Sequence, residues 1–190
     1  MIFKNLFHTS TNDFDNFELS EDSFGYIFLS KIPITVAQKP KYIYICDVKS
    51  NNPLIVYCGQ DYVAKLRELM DEEGSEESLK NTAKTTHIPI DILEWIKDND
   101  EDYEYEWQDF PSIVKQIAPQ YDCVVMQDIF EEVLCDKKTD DYCVFNPNNI
   151  IIKKKILASQ YKPMNESKKK CKKIYITEEQ YKKIINKDIF

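Results

Sequence analysis

The sequence predicts an α+β fold, and three observations support that class. Apolar and polar residues alternate near both ends of the chain, as in KYIYICDV at 41–48, which is typical of strands. In the middle, apolar residues recur at helical spacing, as in IPIDILEWIKDN at 88–99. Strands and helices do not alternate regularly, which argues against a doubly wound parallel sheet.

The expected strands lie on both sides of a central helical region. Each is predicted by short apolar alternation or by turn-forming residues at its flanks. Residues 10–23 are polar and rich in Asp and Asn, so we expect a loop or a single helical turn there. In chain order the expected strands cover residues 3–7, 25–30, 41–48, 51–57, 121–128, 142–147 and 150–157.

The expected helices lie mainly between the two groups of strands. One is expected from Asp61 to Gly74, because its apolar side chains share a face and glycine suits a helix end. A short helix is expected after Pro33, which suits a first helical turn. The others cover 75–86, 88–99 and 110–120, with an acidic and aromatic loop at 98–109.

Charge is distributed unevenly along the chain, although the net charge is only −8. Residues 1–150 carry 29 acidic and 13 basic side chains, whereas residues 151–190 carry 4 and 12. We expect one domain over 1–157 with an acidic helical insert at 61–109, then a basic linker and strand–helix appendage at 158–190. The acidic charge indicates either solvated helix surfaces or a surface that docks on a basic partner.

Composition excludes several classes of function. The chain has three glycines, whereas average usage would give roughly 13, so a glycine-rich phosphate loop is excluded. No apolar run approaches the ~20 residues of a membrane span, and MIFKNLFHTS lacks the features of a secretory signal. We therefore expect a cytoplasmic protein whose six scattered cysteines are reduced. His8 and His87 stand apart, so we expect no metal site.

Three short segments place polar groups at the ends of apolar strands. Taken singly, each has an ordinary explanation: a satisfied structural histidine, a serine that caps a helix, or an aspartate that forms a turn. Their order and spacing along the chain favour a shared site. The segments are Phe7-His8-Thr9-Ser10, Phe28-Leu29-Ser30 and Met126-Gln127-Asp128.

Longer strings around these segments resemble the phage-type ADP-ribosyltransferases. The strings are LFHTSTNDFDNFELSEDSFGYIFLS, KYIYICDVKSNNPLIV, QYDCVVMQD and DYCVFNPNNI. The resemblance implies a split β-sheet core that binds NAD in a crevice between two small sheets, without a Rossmann loop. Phe-His-Thr-Ser with Met-Gln-Asp is also similar to small phage anti-CRISPR members, which implies an enzyme that disables a host defence complex.

The resemblance implies NAD-binding roles for five residues. His8 would hydrogen-bond a ribose hydroxyl of NAD. The backbone of Thr9 would pair with the nicotinamide amide, and Ser10 lies close behind it. Ser30 matches the second family motif, and Phe28 would form an apolar wall for the nicotinamide ring.

The resemblance also implies a catalytic acid, Asp128. A carboxylate at that point would stabilise the positive charge that develops on the sugar as the nicotinamide–ribose bond breaks. Gln127 would help to position the acceptor. Many relatives use Glu as the acid, so Glu131 and Glu132 are alternatives to Asp128.

The sequence departs from the family pattern at two glycines. Thr9 and Cys123 stand where the family usually has glycine, and both are expected to add a side chain near the pocket. Tyr26 lies one position from the stacking tyrosine of one subgroup, so strand alternation would point it to the opposite face.

The leading functional interpretation is an NAD-dependent mono-ADP-ribosyltransferase that modifies a host protein, one that is basic or binds nucleic acid. The alternative is a non-catalytic inhibitor whose acidic surface imitates nucleic acid and blocks a basic groove. Modification of nucleic acid itself is disfavoured, because the acidic body repels phosphates. We expect neither direct nucleic-acid contact nor a membrane partner.

Overall fold

Seven strands form one sheet in the computed structural model, which describes residues 1–19, 24–33, 40–59, 76–99, 109–131 and 137–161. The order across the sheet is β4-β5-β6-β2-β1-β3-β7. The strands are β1 (Ile2–Ser10), β2 (Ile27–Ser30), β3 (Tyr42–Lys49), β4 (Pro53–Tyr57), β5 (Cys123–Glu131), β6 (Lys137–Val144) and β7 (Ile150–Leu157). The α-helices in these residues are α1 (Glu76–Thr86), α2 (Ile90–Asp98) and α3 (Asp109–Ile117), and short 3-10 helices cover Pro147–Asn149 and Ala158–Gln160.

The structure confirms the α+β class. Helices α1 and α2 lie within the expected insert, and β7 has the expected bounds. Strand β6 differs most from expectation, because it begins at Lys137 and ends at Val144 rather than covering 142–147. Its end is set by Asn146, whose side chain accepts a hydrogen bond from Asn148 N and starts a 3-10 turn. The elements expected at 34–38, 61–74 and 162–190 lie outside the described residues.

Strands β4 and β5 run parallel, with Pro53 to Tyr57 alongside Cys123 to Gln127. The other strand pairs among the described residues are antiparallel. A parallel pair needs a long crossover, and here the chain between the two strands carries α1, α2 and α3. The sequence pattern did not predict this crossover, because it appears only in the spatial order of the strands.

Both faces of the sheet bury apolar side chains, and strand alternation assigns each residue to one face. On the face that we call the helical face, the three helices pack on strand residues. The opposite, loop face is covered in part by Phe17 from the segment after β1. Core members of the helical face include Val56, Ile92, Phe110, Val124, Met126 and Cys143. Core members of the loop face include Leu6, Leu29, Tyr44, Val125 and Tyr142.

The carboxylate of Asp122 joins the β3–β4 turn to the start of β5. It accepts hydrogen bonds from the Ser50 hydroxyl and from the backbone amides of Asn51 at 2.7 Å and Asn52 at 3.3 Å. The backbone amide of Asp122 donates to Asn52 O at 3.2 Å. We call this arrangement the Asp122 clamp. It fixes the register in which β4 lies beside β5.

We expect Asp122→Ala to lower the free energy of unfolding by about 2–4 kcal/mol, because three donors lose a charged acceptor. Urea unfolding at neutral pH measures the change. The control is Glu94→Ala, since Glu94 is exposed on α2 and its loss is expected to change stability by less than about 0.5 kcal/mol. If Asp122→Ala costs no more than Glu94→Ala, the clamp does not hold the fold.

Candidate functional site

The two halves of the sheet meet at β1 and β2. These strands share one paired position, Phe7 with Ser30, whereas β1 follows β3 over most of its length. Strand β2 pairs with β6 from Ile27 to Ser30. We call the contact around Phe7 and Ser30 the β1–β2 joint. The backbone ladder across it is short, so side chains next to it contribute to holding the strands together.

The side chain of His8 adds a hydrogen bond between β1 and β2 next to the joint. Its Nδ1 lies 2.8 Å from Phe28 O, and a carbonyl can only accept, so Nδ1 carries the proton. The rings of Phe14, Phe17 and Tyr44 surround the imidazole, with centroids 6.0, 5.0 and 6.3 Å away. Burial lowers the pKa of His8 and outweighs the opposing effect of the Phe28 hydrogen bond. The ring is therefore neutral at pH 7, and Nε2 is its acceptor.

The segment after β1 lies over His8 and is held there by stacking and charge. Phe14 stacks on Tyr44 with ring centroids 4.2 Å apart and an interplanar angle of 9°. Phe14 N also donates to Tyr44 Oη at 2.9 Å. Lys155 Nζ reaches Asp13 Oδ1 at 2.5 Å and thereby lowers the pKa of Asp13. As expected, residues 11–19 contain neither helix nor strand.

Ser30, Phe28 and Thr9 lie on the helical face. Ser30 is 1% exposed, and its hydroxyl donates to Ile32 O, so it can only accept from a ligand. Phe28 is half-buried and packs against the helical-face core. Thr9 lies two residues after Phe7, the cross-strand partner of Ser30, so Thr9 lies on the same face as Ser30. Ser10 ends β1, and its hydroxyl accepts from the backbone amide two residues later at 3.0 Å.

The structure does not bring Asp128 beside these residues. Strand β6 lies between β2 and β5, so Asp128 is two strand spacings, roughly 10 Å, from Ser30 and three spacings, roughly 14 Å, from His8. The φ of Asp128 is 58°, within a bulge of β5. Its amide donates to Asp140 Oδ1 at 3.2 Å, and its carboxylate, 40% exposed, lies 3.5 Å from Lys138 Nζ.

The other residues proposed as the catalytic acid, or to position the acceptor beside it, also lie on β5 or beyond it. Gln127 pairs with Tyr57 on β4, and its carbonyl accepts from Cys58 N at 3.0 Å. Glu131 ends β5, and its side chain lies outside the described residues, as does all of Glu132.

The acid that lies beside Ser30 is Asp141, which the sequence interpretation missed. Asp141 is the cross-strand partner of Ser30 on β6 and is 0% exposed. The apolar alternation typical of strands is absent from this part of β6, because residues 137–141 (KKTDD) are all polar. The expected strand therefore began at 142.

The two glycine replacements differ in their surroundings. Thr9 lies on β1 near the joint, as expected. Cys123 is fully buried in the loop-face core at the start of β5, paired with Pro53 and Val144. Burial raises the pKa of the Cys123 thiol to about 12, which makes it a packing residue. It is one of four free, buried cysteines among the described residues.

Gly25 opens the β2 segment at a φ of 81°, a conformation that favours glycine. Its carbonyl accepts a hydrogen bond from Lys115 Nζ of α3 at 2.6 Å. Tyr26, the next residue, is buried in the helical-face core. Helix α3 therefore fixes the start of the strand that carries Phe28 and Ser30.

Comparisons with protein-family models, with curated proteins and with solved structures found no match to this chain. In the described ranges, every helix is too short or too polar to cross a membrane. The same residues contain no group of His, Cys, Asp or Glu side chains suited to hold a metal ion. The family resemblance is therefore a hypothesis based on the quoted strings and on the residues around the β1–β2 joint.

We expect His8→Asn to reduce the pH dependence of stability. The folded-state pKa of His8 lies below its unfolded value of 6.5, so the unfolded protein binds the extra proton. This contribution to the wild-type free energy of unfolding is complete above pH 6.5 and decreases as the pH falls towards the folded-state pKa. Urea unfolding at about pH 7.5 and about pH 5.5 measures it.

The control for this experiment is His87→Asn, since His87 is exposed after α1. We expect it to keep the wild-type difference between the two pH values. An unchanged pH dependence in His8→Asn would show that the folded protein does not hold His8 neutral.

Proposed function

We propose that this protein is an NAD-dependent mono-ADP-ribosyltransferase that modifies a protein. The observation that carries the proposal is the state of His8 at the β1–β2 joint. Its imidazole is neutral, fixed through Nδ1, and left with Nε2 as an acceptor. A neutral, oriented acceptor suits the hydroxyl of a sugar, which donates a hydrogen bond without carrying charge.

Ser30 and Phe28 offer groups that fit the nicotinamide end of NAD; they lie on the helical face, whereas the side chain of His8 lies on the loop face with Tyr44. The Ser30 hydroxyl has its proton committed to Ile32 O, so it is an acceptor for the amide N–H of a carboxamide. Phe28 supplies an aromatic surface one pairing position away on the same face. The Thr9 backbone would pair with the same carboxamide, and Ser10 would support the turn that follows.

The reaction transfers the ADP-ribosyl group from NAD to a nucleophile on the target. The bond between the nicotinamide nitrogen and the ribose carbon breaks, its electron pair stays with nicotinamide, and the nucleophile bonds to that carbon. The nucleophile's proton is released, so NAD⁺ and the acceptor give ADP-ribosyl acceptor, nicotinamide and H⁺. A carboxylate near the ribose stabilises the positive charge in the transition state.

Two described acids compete for this role. Asp128 is assigned by the family pattern, whereas Asp141 is the cross-strand partner of Ser30 but is 0% exposed. Asp128 is partly exposed on a β-bulge next to Gln127, so its carboxylate is accessible to a protein acceptor. Bulges often re-aim side chains next to active sites.

The direct test uses labelled NAD and a bacterial lysate. We expect wild-type protein to release nicotinamide and to label a lysate protein. His8→Asn is expected to lower the rate about tenfold or more, because one hydrogen bond to the ribose is lost. His87→Asn is the matched control and is expected to retain the wild-type rate. Absence of NAD turnover by wild-type protein, or full activity in His8→Asn, contradicts the proposal.

The charge of residues 1–150 favours a basic or nucleic-acid-binding target. Asp91, Glu94 and Asp98 are exposed acids on α2. We expect a triple change of these acids to Asn, Gln and Asn to reduce target labelling while nicotinamide release without target stays at the wild-type rate. Salt-sensitive inhibition of a host protein that needs no NAD would instead favour the acidic-mimic alternative.

A further inference from the structure

We propose that residues 11–16, which we call the strap, form a gate over His8, and that the ion pair of Asp13 with Lys155 holds this gate closed. The gate regulates access to the His8 side of the candidate site, so its effect on NAD rests on the function proposed above. The inference is carried by contacts that follow one row of side chains across three strands.

The row lies under the strap on the loop face. His8 on β1 pairs with Tyr44 on β3, and Tyr44 pairs with Lys155 on β7. Cross-strand partners point to the same face of a sheet, so these three side chains are neighbours. Among the described strands, β7 is the last on this side of the sheet. The row therefore leads from the β1–β2 joint to the sheet edge.

Aromatic rings cover the inner end of the row. Phe17 lies on His8 with ring centroids 5.0 Å apart, and Phe14 stacks on Tyr44 at 4.2 Å. Phe17 is 9% exposed and belongs to the loop-face core, whereas Phe14 is only half-buried. Phe17 is therefore the fixed end of the cover, and Phe14 is the ring that leaves His8 at the smaller loss of core contact.

Charge holds the outer end of the row. Lys155 Nζ lies 2.5 Å from Asp13 Oδ1 and 3.5 Å from Asp15 Oδ1. The side chains of Lys155 and Asp13 are 34% and 49% exposed. Ion pairs that water reaches are weak and are screened by salt. The contact that closes the strap is thus easily broken, unlike the packing of Phe17.

A closed strap keeps ligands from the imidazole of His8. The ring is half-buried and is surrounded by Phe14, Phe17 and Tyr44. In the gate that we propose, a sugar hydroxyl reaches the imidazole after Phe14 has moved away. The affinity for such a ligand is then reduced by the fraction of molecules whose strap is open, and loss of the ion pair raises that fraction.

The experiment measures how fast diethyl pyrocarbonate modifies His8 in the full chain, since this reagent attacks the unprotonated nitrogen of a neutral imidazole. His87 is exposed and is the reference site in the same molecule. Asp13→Asn and Lys155→Met each remove the ion pair. Each is expected to raise the rate at His8, relative to His87, about two- to fivefold. Mass spectrometry of peptides gives the rate at each site, and circular dichroism verifies folding.

Three comparisons test whether the ion pair is the cause. The double variant is expected to match the single variants, because its second change removes a contact that is already lost. Raising the salt concentration from about 0.05 M to about 0.5 M is expected to bring the wild-type rate towards theirs. The matched control is Lys154→Met, which changes the neighbouring exposed lysine, paired with Ile45 on the other face, and is expected to keep the wild-type rate.

The outcomes separate the gate from the proposed function. If folded Asp13→Asn and Lys155→Met leave the rate at His8 unchanged, or if Lys154→Met raises it equally, the gate is wrong whatever the protein does with NAD. If both variants raise the rate and wild-type protein binds NAD, the NAD dissociation constant is expected to fall by the same factor, and an unchanged constant overturns the role of the gate in access. If both raise the rate but wild-type protein does not bind NAD, the gate over His8 stands and the proposed function fails.

Discussion

The β1–β2 joint is the contact on which the arrangement of this molecule depends. On one side of it lie β4, β5, β6 and β2 with the helices, and on the other lie β1, β3 and β7. At the joint, the two halves share one backbone pairing, Phe7 with Ser30, and the hydrogen bond of the His8 imidazole to Phe28 O. The loop-face core and the Asp122 clamp also connect them. A histidine that replaces part of a backbone ladder must keep its Nδ1 proton directed at the carbonyl, and burial keeps this imidazole neutral. A neutral, oriented imidazole is also what binding an uncharged hydroxyl needs. The fold and the proposed function therefore require the same state of His8.

The strings that resemble ADP-ribosyltransferases serve two purposes in this structure. KSNNPL and QYD meet in the Asp122 clamp, where a carboxylate holds the β3–β4 turn. FNPNN forms the Asn146 turn that ends β6. These strings maintain register and contribute no group to the candidate site. FHTS and FLS, by contrast, supply the residues at the joint, so the proposed function rests on this part of the resemblance.

Sequence patterns predicted the elements that depend on neighbouring residues. The bounds of β7 coincide with the isoleucine-rich segment IIIKKKIL, and α2 follows from the helical spacing of Ile92, Leu93 and Ile96. The position of β6 between β2 and β5 could not be predicted in this way. Pairing partners far apart in sequence leave no periodic signal, so the sequence pattern did not show that Asp141 lies beside Ser30. The candidate residues of β1 and β2 could be predicted because His8 to Ser10 and Ser30 lie at strand ends that the sequence pattern marks.

The parallel β4–β5 pair has a consequence for how the chain folds. Its two strands are separated by residues 58–122, whereas β5 and β6 are separated only by residues 132–136. Closing the long segment costs more chain entropy than closing the short one, and structures rich in such distant pairings fold slowly. The Asp122 clamp lies at the point where the long segment closes, since it joins residues 50–52 to residue 122. Its charged hydrogen bonds therefore favour this distant pairing, in addition to stabilising the finished fold.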